Sequence, residues 1–102
     1  AAPAPTLDFA SLESRLRATK AIGVFTKLSL KNQIDDLLQE FKLFHQGRGP
    51  AVRTLRERYD LLLLKVLSLL RNDDPRLASD VSASREKIWA ILVDPAQFAK
   101  LS

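Results

Sequence analysis

Residues 50–71 read PAVRTLRERYDLLLLKVLSLLR, and this stretch decides the fold class. Apolar side chains recur there at the three- and four-residue spacing of an amphipathic helix, at Val52, Leu55, Tyr59, Leu62, Leu63, Val66 and Leu70. Proline suits the first turn of a helix, so we predict a helix from Pro50 to Arg71. The apolar run 61–70 contains Lys65 and is about half as long as a membrane span, which indicates a core helix and no transmembrane segment.

Two helices are predicted before this one. The first covers residues 8–22 and would end at Gly23, because glycine accepts the left-handed conformation that closes a helix. The second covers residues 30–46, with Ser29 as its N-cap and Gly47 just past its end. Between them, Val24, Phe25 and Leu28 are too apolar for an exposed connector, so we expect them to pack on the end of the bundle.

After the central helix, Asp74-Pro75 has the residue types of a helix start, an acidic cap followed by proline. It predicts a fourth helix over residues 75–92. Asp94-Pro95 repeats the pattern and predicts a short turn with Phe98 and Leu101 as its apolar pair.

The 102 residues suffice for one domain. No stretch alternates as strands do, and the connections between helices are short. We predict an all-α, up-down antiparallel four-helix bundle with a short fifth C-terminal helical turn. It would form a single domain over 8–102, preceded by a disordered Ala/Pro-rich tail over 1–7.

Composition excludes several chemistries. The chain has no cysteine and one histidine, which removes cysteine nucleophiles, iron–sulfur clusters and sites that need two histidines. Neither a nucleophile elbow nor a phosphate-binding loop is present. His45 is interpreted as a boundary residue whose ring packs on Phe41, and Asp35, Asp36 and Glu40 as solvated surface. We expect no catalytic residue, no metal and no cofactor.

Large apolar residues off the main helix stripes are the first functional clue: Leu43, Leu61 and Leu64. One interpretation buries the central helix on two sides, with the C-terminal tail as a cover. The other makes these leucines an apolar surface for self-association or for a partner helix.

Segregated positive charge is the second clue, within a formal net charge of +4. Arg15, Arg17, Lys20, Lys27 and Lys31 lie in the first third of the chain, and Arg48, Arg53, Arg56 and Arg58 cluster at the start of the central helix. If these two regions lie close together, they form a cationic patch for phosphate, an anionic surface or an acidic partner. The alternative is a solvated face with pairing of Arg53 to Glu57 and of Arg56 to Asp60, and with Arg56 near Tyr59.

The first residues, Ala1-Ala2-Pro3-Ala4-Pro5, are typical of a secreted protein after signal-peptide removal, or of a domain boundary in an Ala/Pro linker. We expect a secreted or periplasmic, non-enzymatic domain that binds a protein or itself through the leucines and arginines named above. A cytosolic nucleic-acid-binding module is the alternative, and a bundle with an interhelical ligand pocket is the next.

Overall fold

The computed structural model describes residues 8–101, so the predicted tail 1–7 lies outside the described residues. Five helices account for 80% of the described chain, and no strand occurs in it. They are α1 (Phe9–Ala18), α2 (Val24–His45), α3 (Val52–Leu70), α4 (Pro75–Val93) and α5 (Pro95–Ala99). The predicted all-α helical bundle is confirmed.

Contacts between side chains show how the helices run. Arg15 of α1 meets Asp80 of α4, and Thr19, just after α1, meets Asp74, just before α4, so these two helices are antiparallel. The same holds for α3 and α4, where residues 56 and 59 meet residues 86 and 85. Helices α2 and α3 are antiparallel too, because they are joined by the short connection 46–51 and meet through Glu40 and Arg58. Helix α3 therefore lies between α2 and α4, and α4 also carries α1 and α5. None of the helices in residues 8–101 combines the length and apolarity that crossing a bilayer requires.

The core follows the predicted stripes. Its most deeply buried side chains come from the three long helices: Phe41, Leu55, Val66, Leu70, Leu77, Val81, Ile88 and Leu92. Trp89 is half-buried at the edge of the α4 face, as predicted, and its ring meets Phe41 edge-on with centroids 5.7 Å apart. Val52 was predicted in the inner stripe of α3 and is instead 46% exposed.

The predicted junction between the first two helices is wrong. Helix α1 ends at Ala18 and not at Ile22, because Thr19 is extended and donates its hydroxyl to Asp74 at 2.7 Å. Gly23 does not close α1; it has a φ of −67° and precedes α2, whose first turn closes with the Lys27 amide on the Gly23 carbonyl. Helix α2 thus begins six residues before Leu30, and Ser29 accepts a bond from Gln33 inside the helix instead of capping it.

The junction between α2 and α3 is closer to the prediction. Gly47 follows the end of α2 with a φ of +74°, the left-handed conformation that suits glycine. Gly49 passes so near α2 that an added Cβ would lie 2.4 Å from the Phe44 amide nitrogen. Because the chain is still turning there, α3 begins at Val52 and not at Pro50.

The last two helix starts are as predicted. Asp74 accepts a bond from the Leu77 amide and Pro75 opens α4, which ends one residue past the predicted Leu92. Asp94 likewise caps α5 through the amides of Ala96 and Gln97. Of the predicted apolar pair, Phe98 is buried and Leu101 is exposed.

Candidate functional site

A groove of about 350 Å³ lies between α1 and the first half of α2. It exists because α1 packs against α4, where Thr19 and Arg15 hold it, and leaves its α2 side open. Leu16, Leu30 and Ile34 are among the side chains that line the groove between the two helices. We call this the α1–α2 groove.

Three large apolar side chains stand at the start of α2 beside the groove. Val24 is 78% exposed, Phe25 88% and Leu28 57%, and two of them, Val24 and Leu28, line the groove. The prediction that these residues pack on the end of the bundle is therefore wrong. They lie on a regular helix that turns them outward, so the described residues leave an apolar surface open to solvent.

Basic side chains edge this groove. Arg17, Lys27 and Lys31 line it, and the Lys27 ammonium donates to the Arg17 carbonyl at 2.7 Å across its two walls. Two carboxylates also line it, and each has a basic neighbour on its own helix: Glu13 lies 4.0 Å from Arg17, and Asp35 2.9 Å from Lys31. The local sequence is one-sided, since residues 14–34 contain five Lys and Arg and no Asp or Glu.

The arginines predicted as a contact region do not form one patch. Arg56 turns to Glu86 of α4, and Arg58 pairs with Glu40 of α2 on the other side of α3. Arg53 lies 4.0 Å from Glu57 in a largely exposed pair, and Arg48 bonds to Gln46.

The loop carrying Arg48 is also far from the basic end of α1. The end of α2 contacts the end of α4, where His45 Nε2 lies 2.8 Å from the Leu92 carbonyl. The end of α1 contacts the start of α4 at Asp74. The two basic regions therefore lie at opposite ends of the bundle, and the condition for a joint cationic patch is not met.

Arg56 belongs to a polar contact between α3 and α4 that we call the α3–α4 seam: Arg56, Tyr59, Asp60, Arg85, Glu86 and Trp89. Arg56 donates to Asp60 at 3.1 Å and to Glu86 at 3.1 Å, and its guanidinium lies 5.0 Å from the centre of the Trp89 ring. Arg85 Nη2 lies 2.8 Å from Asp60 Oδ1. The predicted pairing of Arg56 with Asp60 and its contact with Tyr59 are both present.

Titration in the seam follows these contacts. The hydrogen bond to Glu86 raises the pKa of Arg56 and lowers the pKa of Glu86. Burial alone would raise the pKa of Asp60, but hydrogen bonds from Arg85 and Arg56 outweigh it and lower the pKa. Burial raises the pKa of Tyr59, whose hydroxyl donates to the Arg85 carbonyl at 2.7 Å. Opposite charges are matched here, which gives the seam a structural role.

The predicted interface leucines separate into two environments. Leu61 is 67% exposed and Leu64 57%, so the interpretation that buries α3 on both sides is wrong. Leu43 is half-buried on α2.

The single histidine sits among aromatic rings, as a boundary residue would. His45 lies 4.8 Å from Phe98 and 5.2 Å from Phe44 between ring centres, where Phe41 was expected. Within residues 8–101, no three His, Asp or Glu side chains come together as a possible metal site.

Sequence reasoning missed the α1–α2 groove, although two signals pointed to it. One is the acid-free stretch 14–34. The other is that residues 24–29 contain neither glycine nor proline to keep them out of α2.

The chain matched no protein-family model, no curated protein and no solved structure.

Proposed function

We propose that this chain is a non-enzymatic protein-binding module whose α1–α2 groove receives one amphipathic helix of a partner protein, with acidic residues flanking the helix's apolar face. The exposure of Val24, Phe25 and Leu28 beside an apolar groove is the observation that carries this proposal. Contiguous exposed apolar side chains of this size are typical of interaction sites.

The shape of the groove favours a helix as the occupant. Two helices form its walls, and Leu16 and Leu30 are almost fully buried between them. A partner helix with one row of apolar side chains can insert that row between the walls and contact these leucines, as in helix-in-groove recognition. A flat bilayer surface would touch Phe25 and Val24 and would not reach the floor.

The charge around the groove favours acidic flanks on that helix. Arg17, Lys27 and Lys31 line the groove, and the two carboxylates that also line it, Glu13 and Asp35, form only exposed pairs within their own helices in residues 8–101. Lys20 follows α1 within the acid-free stretch, so positive charge is in excess there. Charges at the rim of an interface act mainly on association rate and on the choice of partner. An acidic helix would gain from them, and a basic helix would be repelled.

The test uses two synthetic peptides with the same leucine stripe at helical spacing, one flanked by glutamate and the other by lysine. Binding is measured by fluorescence anisotropy and mapped by amide chemical shifts. We expect the glutamate peptide to bind at least about tenfold more tightly than the lysine peptide, and to perturb α1 and α2.

Two leucines provide a matched control. Leu28 and Leu64 are both 57% exposed, on different surfaces. Leu28→Ser should weaken binding of the glutamate peptide, and Leu64→Ser should leave it unchanged. The proposal is wrong if neither peptide binds, or if both serine variants behave alike. Binding to anionic phosphatidylserine vesicles in place of the peptide would overturn it in favour of a lipid surface.

A further inference from the structure

A second apolar feature lies on the outer face of α3. Leu61 and Leu64 are one helical turn apart and largely exposed, whereas Leu63 and Val66 of the same helix face the core. Glu57, Lys65 and Ser68 are exposed at helical spacing around them. We call Glu57, Leu61, Leu64, Lys65 and Ser68 the outer stripe of α3.

The charges of the outer stripe are available to a partner. Glu57 approaches Arg53 only at 4.0 Å, between side chains that are 69% and 91% exposed, and such pairs contribute little. In the described part of the chain, no carboxylate forms an ion pair with Lys65. The neighbouring Arg58 is already held by Glu40 of α2. The stripe thus offers one acidic and one basic group, on either side of an apolar centre.

The order of these residues along α3 is self-complementary. Glu57 lies four residues before Leu61, and Lys65 four residues after it. When two copies of α3 cross antiparallel with Leu61 at the centre, each position before the centre faces the equivalent position after it. Glu57 of each copy then faces Lys65 of the other. A parallel arrangement would place like charges together instead.

We propose that two copies of this chain associate through the outer stripe of α3, with a two-fold axis beside Leu61. The leucines form the apolar centre, and two symmetric Glu57–Lys65 ion pairs close it. An isologous contact of this kind uses the same residues on both copies, so it closes as a dimer and does not extend into a filament. Because the apolar centre is small, the dimer is weak and reversible, and it forms only at high protein concentration.

The experiment is sedimentation equilibrium of the wild-type chain over a wide concentration range, alongside two kinds of variant. We expect a monomer–dimer equilibrium for the wild type and a monomer throughout for Leu61→Asp with Leu64→Asp. Glu57→Lys alone and Lys65→Glu alone should each weaken dimerisation by about tenfold or more, because each creates like-charge contacts across the axis. Glu57→Lys together with Lys65→Glu should restore it.

The double charge exchange distinguishes this dimer from general stickiness. Leu28→Asp is the matched control for the apolar centre, and Lys20→Glu for the charge reversals; both should dimerise like the wild type. All substituted side chains are exposed, and circular dichroism verifies the fold. A wild type that stays monomeric overturns the proposal, and so does a charge exchange that fails to restore the dimer. Peptide binding in the α1–α2 groove is unaffected by either result, so the two proposals fail separately.

Discussion

The α3–α4 seam and the α1–α2 groove contain similar residue types and use them in opposite ways. In the seam, Arg56 lies over Trp89 and bonds to carboxylates of both helices. At the groove, Val24 and the neighbouring Phe25 are exposed to solvent, and Lys27 bonds to a backbone carbonyl. The arginines of the seam form ion pairs that connect two helices. Among the described residues, the basic side chains of the groove form only exposed pairs within their own helix or a bond to a backbone carbonyl, so they stay accessible to another molecule.

This contrast shows why charge clusters in a sequence identify sites poorly. The start of α3 has three arginines within residues 53–58, yet the fold pairs Arg56 and Arg58 with carboxylates on two different helices. Around the groove, in the described part of the chain, Lys31 and Arg17 pair only with carboxylates of their own helices, in exposed pairs that contribute little, and residues 14–34 contain no acidic residue. A binding site is better identified by the charged side chains that the fold leaves exposed and without an ion-pair partner on another helix.

Substitution of two phenylalanines of α2 should give the largest difference in stability between buried and exposed side chains. Phe41 is completely buried against Trp89 and Phe98, whereas Phe25 is 88% exposed. Phe41→Ala should lower the free energy of unfolding by about 3–5 kcal/mol, because it leaves a cavity in the core. Phe25→Ala should change it by less than about 0.5 kcal/mol. Urea unfolding followed by circular dichroism measures both, and equal losses would contradict the exposure of Phe25.

Two arginines of α3 give a smaller effect in the seam. Arg56→Met removes bonds to Asp60 and Glu86 and should lower the free energy of unfolding by about 1–3 kcal/mol. Arg53→Met is the matched control, because Arg53 lies 4.0 Å from its only ion-pair partner in the described chain and is almost fully exposed. It should change the free energy by less than about 0.5 kcal/mol. A large loss for Arg53→Met would show that the exposed pair is structural too.

The predictable parts of the fold are those whose signals are local. Asp74-Pro75 and Asp94-Pro95 set the starts of α4 and α5 because each cap bonds to an amide two or three residues away. The buried faces of the helices were predictable for the same reason, because the three- and four-residue repeat of apolar side chains is visible within each segment of the sequence. Each of these features depends on neighbouring residues alone.

The unpredicted parts depend on contacts distant in sequence. Thr19 ends α1 by bonding to Asp74, 55 residues away. That bond also helps to hold α1 on α4, which leaves the groove open beside α2. The exposure of Val24 and Phe25 depends on where α1 lies as well as on their own spacing. Apolar character alone suggested burial, and the arrangement of the helices decided against it.

The smallest expected effect is the response of the seam to acid. Asp60 and Glu86 both have pKa values below their ordinary ones. At Asp60, hydrogen bonds from Arg85 and Arg56 outweigh the effect of burial, and at Glu86 the hydrogen bond from Arg56 lowers the pKa. A carboxylate with a lowered folded pKa contributes stability that is fully present above its unfolded pKa, about 4, and that is lost as the pH falls through the folded value.

Wild-type stability should therefore be insensitive to these two groups above about pH 5 and should fall below about pH 4. Arg56→Met should make that fall shallower, because it removes one partner of each carboxylate, and Arg53→Met should leave the wild-type profile unchanged. Urea midpoints between about pH 3 and 6 measure the slopes. If Arg56→Met kept the wild-type slope, acid sensitivity would come from the capping carboxylates Asp8, Asp74 and Asp94, whose pKa values are also lowered by hydrogen bonds. In that case the packing of Arg56 on Trp89 would stabilise the seam more than its ion pairs do. The α3–α4 seam and the α1–α2 groove would then differ only in how deeply their side chains are buried.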